Sequence, residues 1–210
     1  MCSSDLIDFL AFFRRRRAID SLGALAEFID RNAAFLAQKG IYEYSRARAG
    51  HYAKVLFAEQ AFQSAVEVSR WRAFPLALAM VAEAAEGLLR PAAGEATQAQ
   101  LDALHDLVLS IFDKYPTPAL VGEQAWGELR AELARQLRLI GLHPPKRAMD
   151  IPEQFARQYF DLMPIHQKLR SAEFPALRGY MRVTMCNIHD ELEKRLDRQA
   201  ISGLLTDRSN

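Results

Sequence analysis

The 210-residue chain is half hydrophobic and one quarter charged, with a net charge of +1. That composition can fill the core of one domain, or of a domain with an appendage, and it argues against a dedicated nucleic-acid binder, whose domain is usually strongly basic. The two cysteines, Cys2 and Cys186, make neither a disulfide framework nor a zinc spacing, so a reducing cytoplasm is the expected location.

Strand signals are sparse, and Ala, Leu, Glu, Gln and Arg dominate, all good helix formers. The expected fold is therefore all-α: a single-domain bundle of seven or eight helices, several broken or kinked at proline. In chain order, Leu6, Phe9, Leu10 and Phe13 recur at helical spacing and define a short N-terminal amphipathic helix. A second stripe follows at Ile19, Leu22, Leu25, Ile29 and Leu36. At about 100° per residue it points some 150° away from the first, so a break is expected within residues 14–21. Residues 1–20 then form an arm, packed on the body or on another subunit, and residues 21–200 form the helical domain.

Gly40 is expected to end the second helix. The third is expected from Ile41 towards Arg70, weakened by about 1 kcal/mol at Gly50. Pro75 should start a new helix or kink an old one. The stretch from Pro75 to Leu89 is apolar nearly all round and is the expected central helix. Its longest nearly apolar run, Ala73 to Ala82, is about half of the ~20 residues a membrane span requires. A signal peptide is not expected either, because the arginines follow the first apolar segment rather than precede it.

Thr97 is expected to cap a helix to Tyr115. Thr117 and Pro118 should start another, ending at Gly141. "GLHPPKRAMDIP" is the most loop-like stretch. Asp150 and Pro152 open a helix carrying Phe155, Tyr159, Phe160 and Met163. Its aromatic side is expected to be core, the alternative being a groove for a partner helix or an apolar ligand. The last long helix is expected over residues 176–196, with a frayed tail at residues 201–210.

Three constellations bear on function. In "FFRRRR", four consecutive arginines cover about 300° of a helix and cannot all face one surface. The first expectation is a solvated break between helices. Alternatives are a membrane-surface segment over residues 4–17 and a partner contact through Phe9, Phe13, Arg14 and Arg15. In "IYEYSRARAGHYAK", Tyr44, Arg48 and Tyr52 fall on one face of an uninterrupted helix. A buried guanidinium there requires an anion. Glu83 and Glu86 are its candidate internal partners, and Tyr44, Arg48, His51, Tyr52 and Glu83 are candidates for an anion pocket. The third constellation is the acidic pair itself, which raises a di-metal bundle. No Glu-x-x-His occurs, and Asp102-x-x-His105 is the nearest pattern. Neither a metal nor a cofactor is expected.

No nucleophile elbow, P-loop or dinucleotide fingerprint occurs. The leading expectation is a non-catalytic interaction or adaptor protein, as a homo-oligomer or with a protein partner. The alternatives are a binder of a small anion or apolar acid, or a helical enzyme without short motifs, near Arg48 and Glu83. Peripheral membrane association is the third reading; an integral membrane protein is not expected.

Overall fold

Residues 17–90, 98–164 and 170–207 are described by the computed structural model, without the side chains of residues 48 and 170–172. The N-terminal amphipathic helix, with Phe9, Phe13, Arg14 and Arg15, lies outside the described residues, as does Thr97. The fold is an all-α bundle. Its helices are α1 (Leu22–Gln38), α2 (Tyr44–Ala49), α3 (Ala53–Leu56), α4 (Gln60–Leu89), α5 (Gln98–Asp113), α6 (Glu123–Leu137), α7 (Ala156–Asp161), α8 (Arg170–Arg195) and α9 (Arg198–Asp207). Among the described residues no helix is long and apolar enough to cross a membrane.

The break expected before α1 is present. Ser21 caps α1, its hydroxyl accepting from the Ala24 amide. Ahead of it the chain is pinned rather than helical. The Ile19 amide donates to the Arg195 carbonyl (2.8 Å), the Ile19 carbonyl accepts from the Asp197 amide (3.0 Å), and the Ile19 side chain is fully buried. One extended residue thus ties the entrance of α1 to the junction of α8 and α9.

α4 is the centre of the bundle and touches α1, α5, α6, α8 and α9. Of the two expectations for Pro75, the start of a new helix is corrected: Pro75 lies inside the 30-residue α4. Every residue from Ala73 to Glu86 is buried. Ending the helix there would strand backbone polar groups in the core, a larger penalty than the one hydrogen bond a proline removes. Pro175 is likewise inside α8, which begins at Arg170 rather than near residue 176.

Gly40 does not end its helix either. The chain widens into a π-turn over Lys39–Glu43 and continues into α2. The reason is Tyr159. Its hydroxyl donates to the Leu36 carbonyl (2.9 Å) and also approaches the Ala37 carbonyl (3.3 Å). A Cβ on Gly40 would sit 2.1 Å from that oxygen. The glycine is there for close approach, not for a helix stop.

The long third helix is also corrected. Gly50 adopts φ +52°, a conformation L side chains rarely take, and splits the segment into α2, a short 3-10 turn and α3. Periodicity is lost there: Ile41 is buried and Tyr44 half-buried, but Tyr52 and Val55 are exposed. α6 starts at Glu123 rather than Pro118, because Gly122 at φ +80° holds the chain out of the helical region just before it. The tail is not frayed through residue 207. Asp197 caps α9, accepting from the Ala200 amide, and Ile201 and Leu205 are buried.

Gly40→Ala is expected to destabilise the fold by about 1–3 kcal/mol through overpacking, and Tyr159→Phe by about 1 kcal/mol through its lost hydrogen bonds. In urea unfolding the double variant should lose less than the two singles combined, since each acts on the same contact; strict additivity would refute that contact.

Candidate functional site

The acidic pair on α4 is a clasp. Glu83 and Glu86 are both nearly fully buried, and ionised carboxylates in that setting require cations and hydrogen bonds. The loop-like stretch supplies them. Lys146 Nζ lies 2.8 Å and His143 Nε2 3.5 Å from Glu83 Oε1. Gln154 donates to Glu83 Oε2 (3.1 Å) and accepts from Lys146 (2.9 Å), closing a triangle. One turn on, Arg90 forks onto both oxygens of Glu86 at 2.8 Å each and donates to the His143 carbonyl at 2.7 Å. The segment from His143 to Gln154 is thereby fastened to the central helix at two points.

The candidate anion pocket is dispersed. Tyr44 donates to Glu173 Oε2 at 2.6 Å, joining the π-turn region to α8. His51 and Tyr52 are exposed. The Arg48 side chain lies outside the described residues. Glu83 meets Lys146, His143 and Gln154, and neither His51, Tyr52 nor Tyr44 is among its partners. Among the described residues no cluster of His, Cys, Asp and Glu has the geometry of a metal site.

A different arginine borders a cavity. Between α1 and α4 lies an open cavity of about 430 Å³, lined by Phe35, Trp71, Phe74 and Tyr115 with Arg31, Arg70 and Gln38 at its polar edge. That volume falls within the range of small-molecule sites. Its aromatic wall is held from behind. Trp71 meets Phe74, Tyr115 and Trp126 edge-on at 5.6–6.3 Å, and Trp126 stacks on Phe112 at 4.2 Å. Tyr115 donates to Asp30 (2.7 Å). Burial, then that carboxylate, push its phenol up to about 12, so it stays neutral.

Arg70 lies 5.4 Å from the Trp71 ring centroid and donates to the neutral Gln38 side chain at 3.0 Å. It is half-buried, and among the described residues no carboxylate lies within ion-pair distance of it. Arg31 is more exposed and is shared with Glu191. Periodicity placed the guanidinium in want of an anion at Arg48, whose side chain lies outside the described residues; among the described residues Arg70 is a half-buried guanidinium with only a neutral hydrogen-bond partner. The signal was "RWRAF": an arginine beside a tryptophan, with Phe74 one turn on.

Comparison with known proteins adds no relative: no family model, curated protein or solved structure matches the chain.

Removing one half of the clasp should expose its role. Glu86→Ala leaves the Arg90 cation buried and is expected to cost about 3–5 kcal/mol, whereas the joint change Glu86→Leu with Arg90→Leu should cost less, as for other buried pairs. Urea unfolding reads both, and a double variant worse than the single would reject the clasp.

His105 on α5 carries a pH dependence. Burial pushes its imidazole below the usual 6.5, with Asp102 and Asp106 pulling back. The unfolded chain therefore holds that proton more tightly than the folded one. Its contribution to stability is full above pH 6.5 and declines as the pH falls below it. Urea midpoints between pH 7.5 and 5 should drop less steeply in His105→Gln than in the parent chain; parallel curves would exclude His105 as the cause.

Proposed function

We propose that the protein is a non-catalytic binding protein whose ligand is an amphipathic anion, an apolar body ending in a carboxylate or similar group, held in the cavity between α1 and α4. The single observation behind this reading is Arg70: a half-buried cation, stacked on an aromatic wall, opening on an apolar cavity and lacking a counter-ion among the described residues. The body of the ligand would lie on Phe35, Trp71 and Phe74, gaining about 25 cal/mol per Å² of apolar surface buried. The head would meet Arg70, whose planar fork suits a carboxylate. The catalytic alternative is the weaker one, because the two buried glutamates that could serve as acid or base are occupied by Lys146, His143, Gln154 and Arg90.

Decanoate and decanol distinguish head from body. Titration of each into the full chain, read by tryptophan emission, should show decanoate binding more tightly. Arg70→Gln should weaken decanoate by about 10–100-fold, the worth of a charge-assisted hydrogen bond, and leave decanol nearly unchanged. Equal affinity for the two compounds in the parent chain would sink the proposal.

A further inference from the structure

A second concavity runs along the opposite flank of α1, between α1 and α8, with a volume of about 1400 Å³. The two helices are antiparallel: Arg195 is tied to residue 17 and Glu191 to Arg31, while Tyr180 lies at the level of Lys39. The apolar residues of its lining are Ala24, Phe28, Phe35, Val183 and Ile188, set among the polar Asn32, Thr184 and Asn187. Phe28 and Ile188 are buried, while Phe35 is partly open and Val183 is 62% exposed. Two open apolar side chains in one concavity invite a cover.

We propose that this channel is the docking site of the chain's own N-terminal arm, residues 1–16. Three observations name that occupant. Arg17 and Ala18 themselves line the channel mouth, and the Arg17 carbonyl is held there by Arg195 Nε (2.9 Å). The arm therefore leaves the body at one end of the channel, behind the Ile19 pin. Length agrees next: from Ser21 to Lys39 the channel follows α1 for about 27 Å, enough for the roughly 15 Å that the sequence expectation of a ten-residue helix would span. The apolar pattern is the third. Running back from Arg17, the arm presents Arg16, Arg15 and Arg14, then the stripe Phe13, Leu10, Phe9 and Leu6. The channel carries Arg17, Arg31 and Arg195 beside Asp20, Glu27 and Glu191 towards its mouth, and the partly open Phe35 and Val183 beyond them. Charges are balanced at the mouth, and the apolar stripe of the arm falls to the apolar part of the channel. The break before α1, which a straight helix would lack, is what lets the arm turn back.

Thiol labelling of the full chain tests this, in a Cys2→Ser and Cys186→Ser background. Val183→Cys is placed in the channel and Leu139→Cys outside it; the two native side chains are 62% and 61% exposed on the body. Each maleimide rate is divided by that of the same variant unfolded in urea. With the arm docked, Val183→Cys reacts at least about tenfold more slowly than Leu139→Cys, as a tenfold excess of the closed state requires. Adding Phe9→Asp and Phe13→Asp raises it to the Leu139→Cys rate, with the far-UV spectrum unchanged. Equal rates in the starting background overturn the proposal, as does protection that survives both aspartates. Protection that grows with protein concentration assigns the channel to a second copy, and protection seen only with anionic vesicles assigns the arm to a membrane surface; either result also overturns it. Val183 does not line the Trp71 cavity, so failure here leaves the ligand reading standing, and the reverse holds.

Discussion

Burial of α4 on all sides is the constraint from which the rest of the architecture follows. A helix that meets solvent on one face can leave its charges there, but from Ala73 to Glu86 this one has no such face. Its backbone must therefore stay hydrogen-bonded even across Pro75, since the alternative is polar groups orphaned in the core. Other elements must cover every side, which α1, α5, α6, α8 and the loop through Lys146 do between them. Each carboxylate that the helix carries inward must bring a cation with it. Glu83 and Glu86 are for that reason the points at which an otherwise irregular stretch is fixed, and His143 serves both, through its ring to Glu83 and its carbonyl to Arg90.

Two positions on α4 treat the same side chain in opposite ways. Arg90 has its charge matched by a bidentate carboxylate and a donated bond to a carbonyl, and only 4% of its side chain meets solvent. Arg70, five and a half turns earlier on the same helix, has a neutral amide and an aromatic face. A guanidinium so placed keeps part of its electrostatic demand unmet. Its one hydrogen bond to α1 goes to the neutral Gln38, and the neighbours Trp71 and Phe74 are secured by Trp126 and Tyr115. The asymmetry between Arg90, satisfied within the fold, and Arg70, turned towards a cavity, is what the ligand proposal rests on.

Features carried by local periodicity were legible in the sequence. The all-round apolar stretch of α4, the break ahead of α1, the loop around Pro144 and the all-α class follow from spacing, composition and turn residues. What could not be read was set by distant partners. Gly40 looks like a helix stop until Tyr159, 119 positions later, occupies the space its missing Cβ leaves. Tyr44, Arg48 and Tyr52 share a face only if the helix is unbroken, and Gly50 breaks it. Ile201 and Leu205 look like a short tail until Asp197 caps the turn ahead of them and Ser202 meets Gln100. For the candidate site, an arginine among aromatics was sought where tyrosines repeat, at Arg48, whose side chain lies outside the described residues; Arg70 is a second such arginine, where α4 passes α1.

Arg31 and Phe35 give the two concavities a shared wall, since both residues line the Trp71 cavity on one flank of α1 and the channel towards α8 on the other. Arg31 is also the ion-pair partner of Glu191, the acidic residue facing the channel mouth. An occupant of the channel that draws Glu191 to its own arginines would free Arg31 to face an anion beside Arg70. An anion held by Arg31 would in turn leave Glu191 available to the arm. Each event favours the other, and by linkage the factor by which one tightens the other must be the same in both directions. The size of that factor is bounded by a single half-exposed ion pair, which is worth less than about 1 kcal/mol. Were both concavities occupied as proposed, they would assist one another only a few-fold.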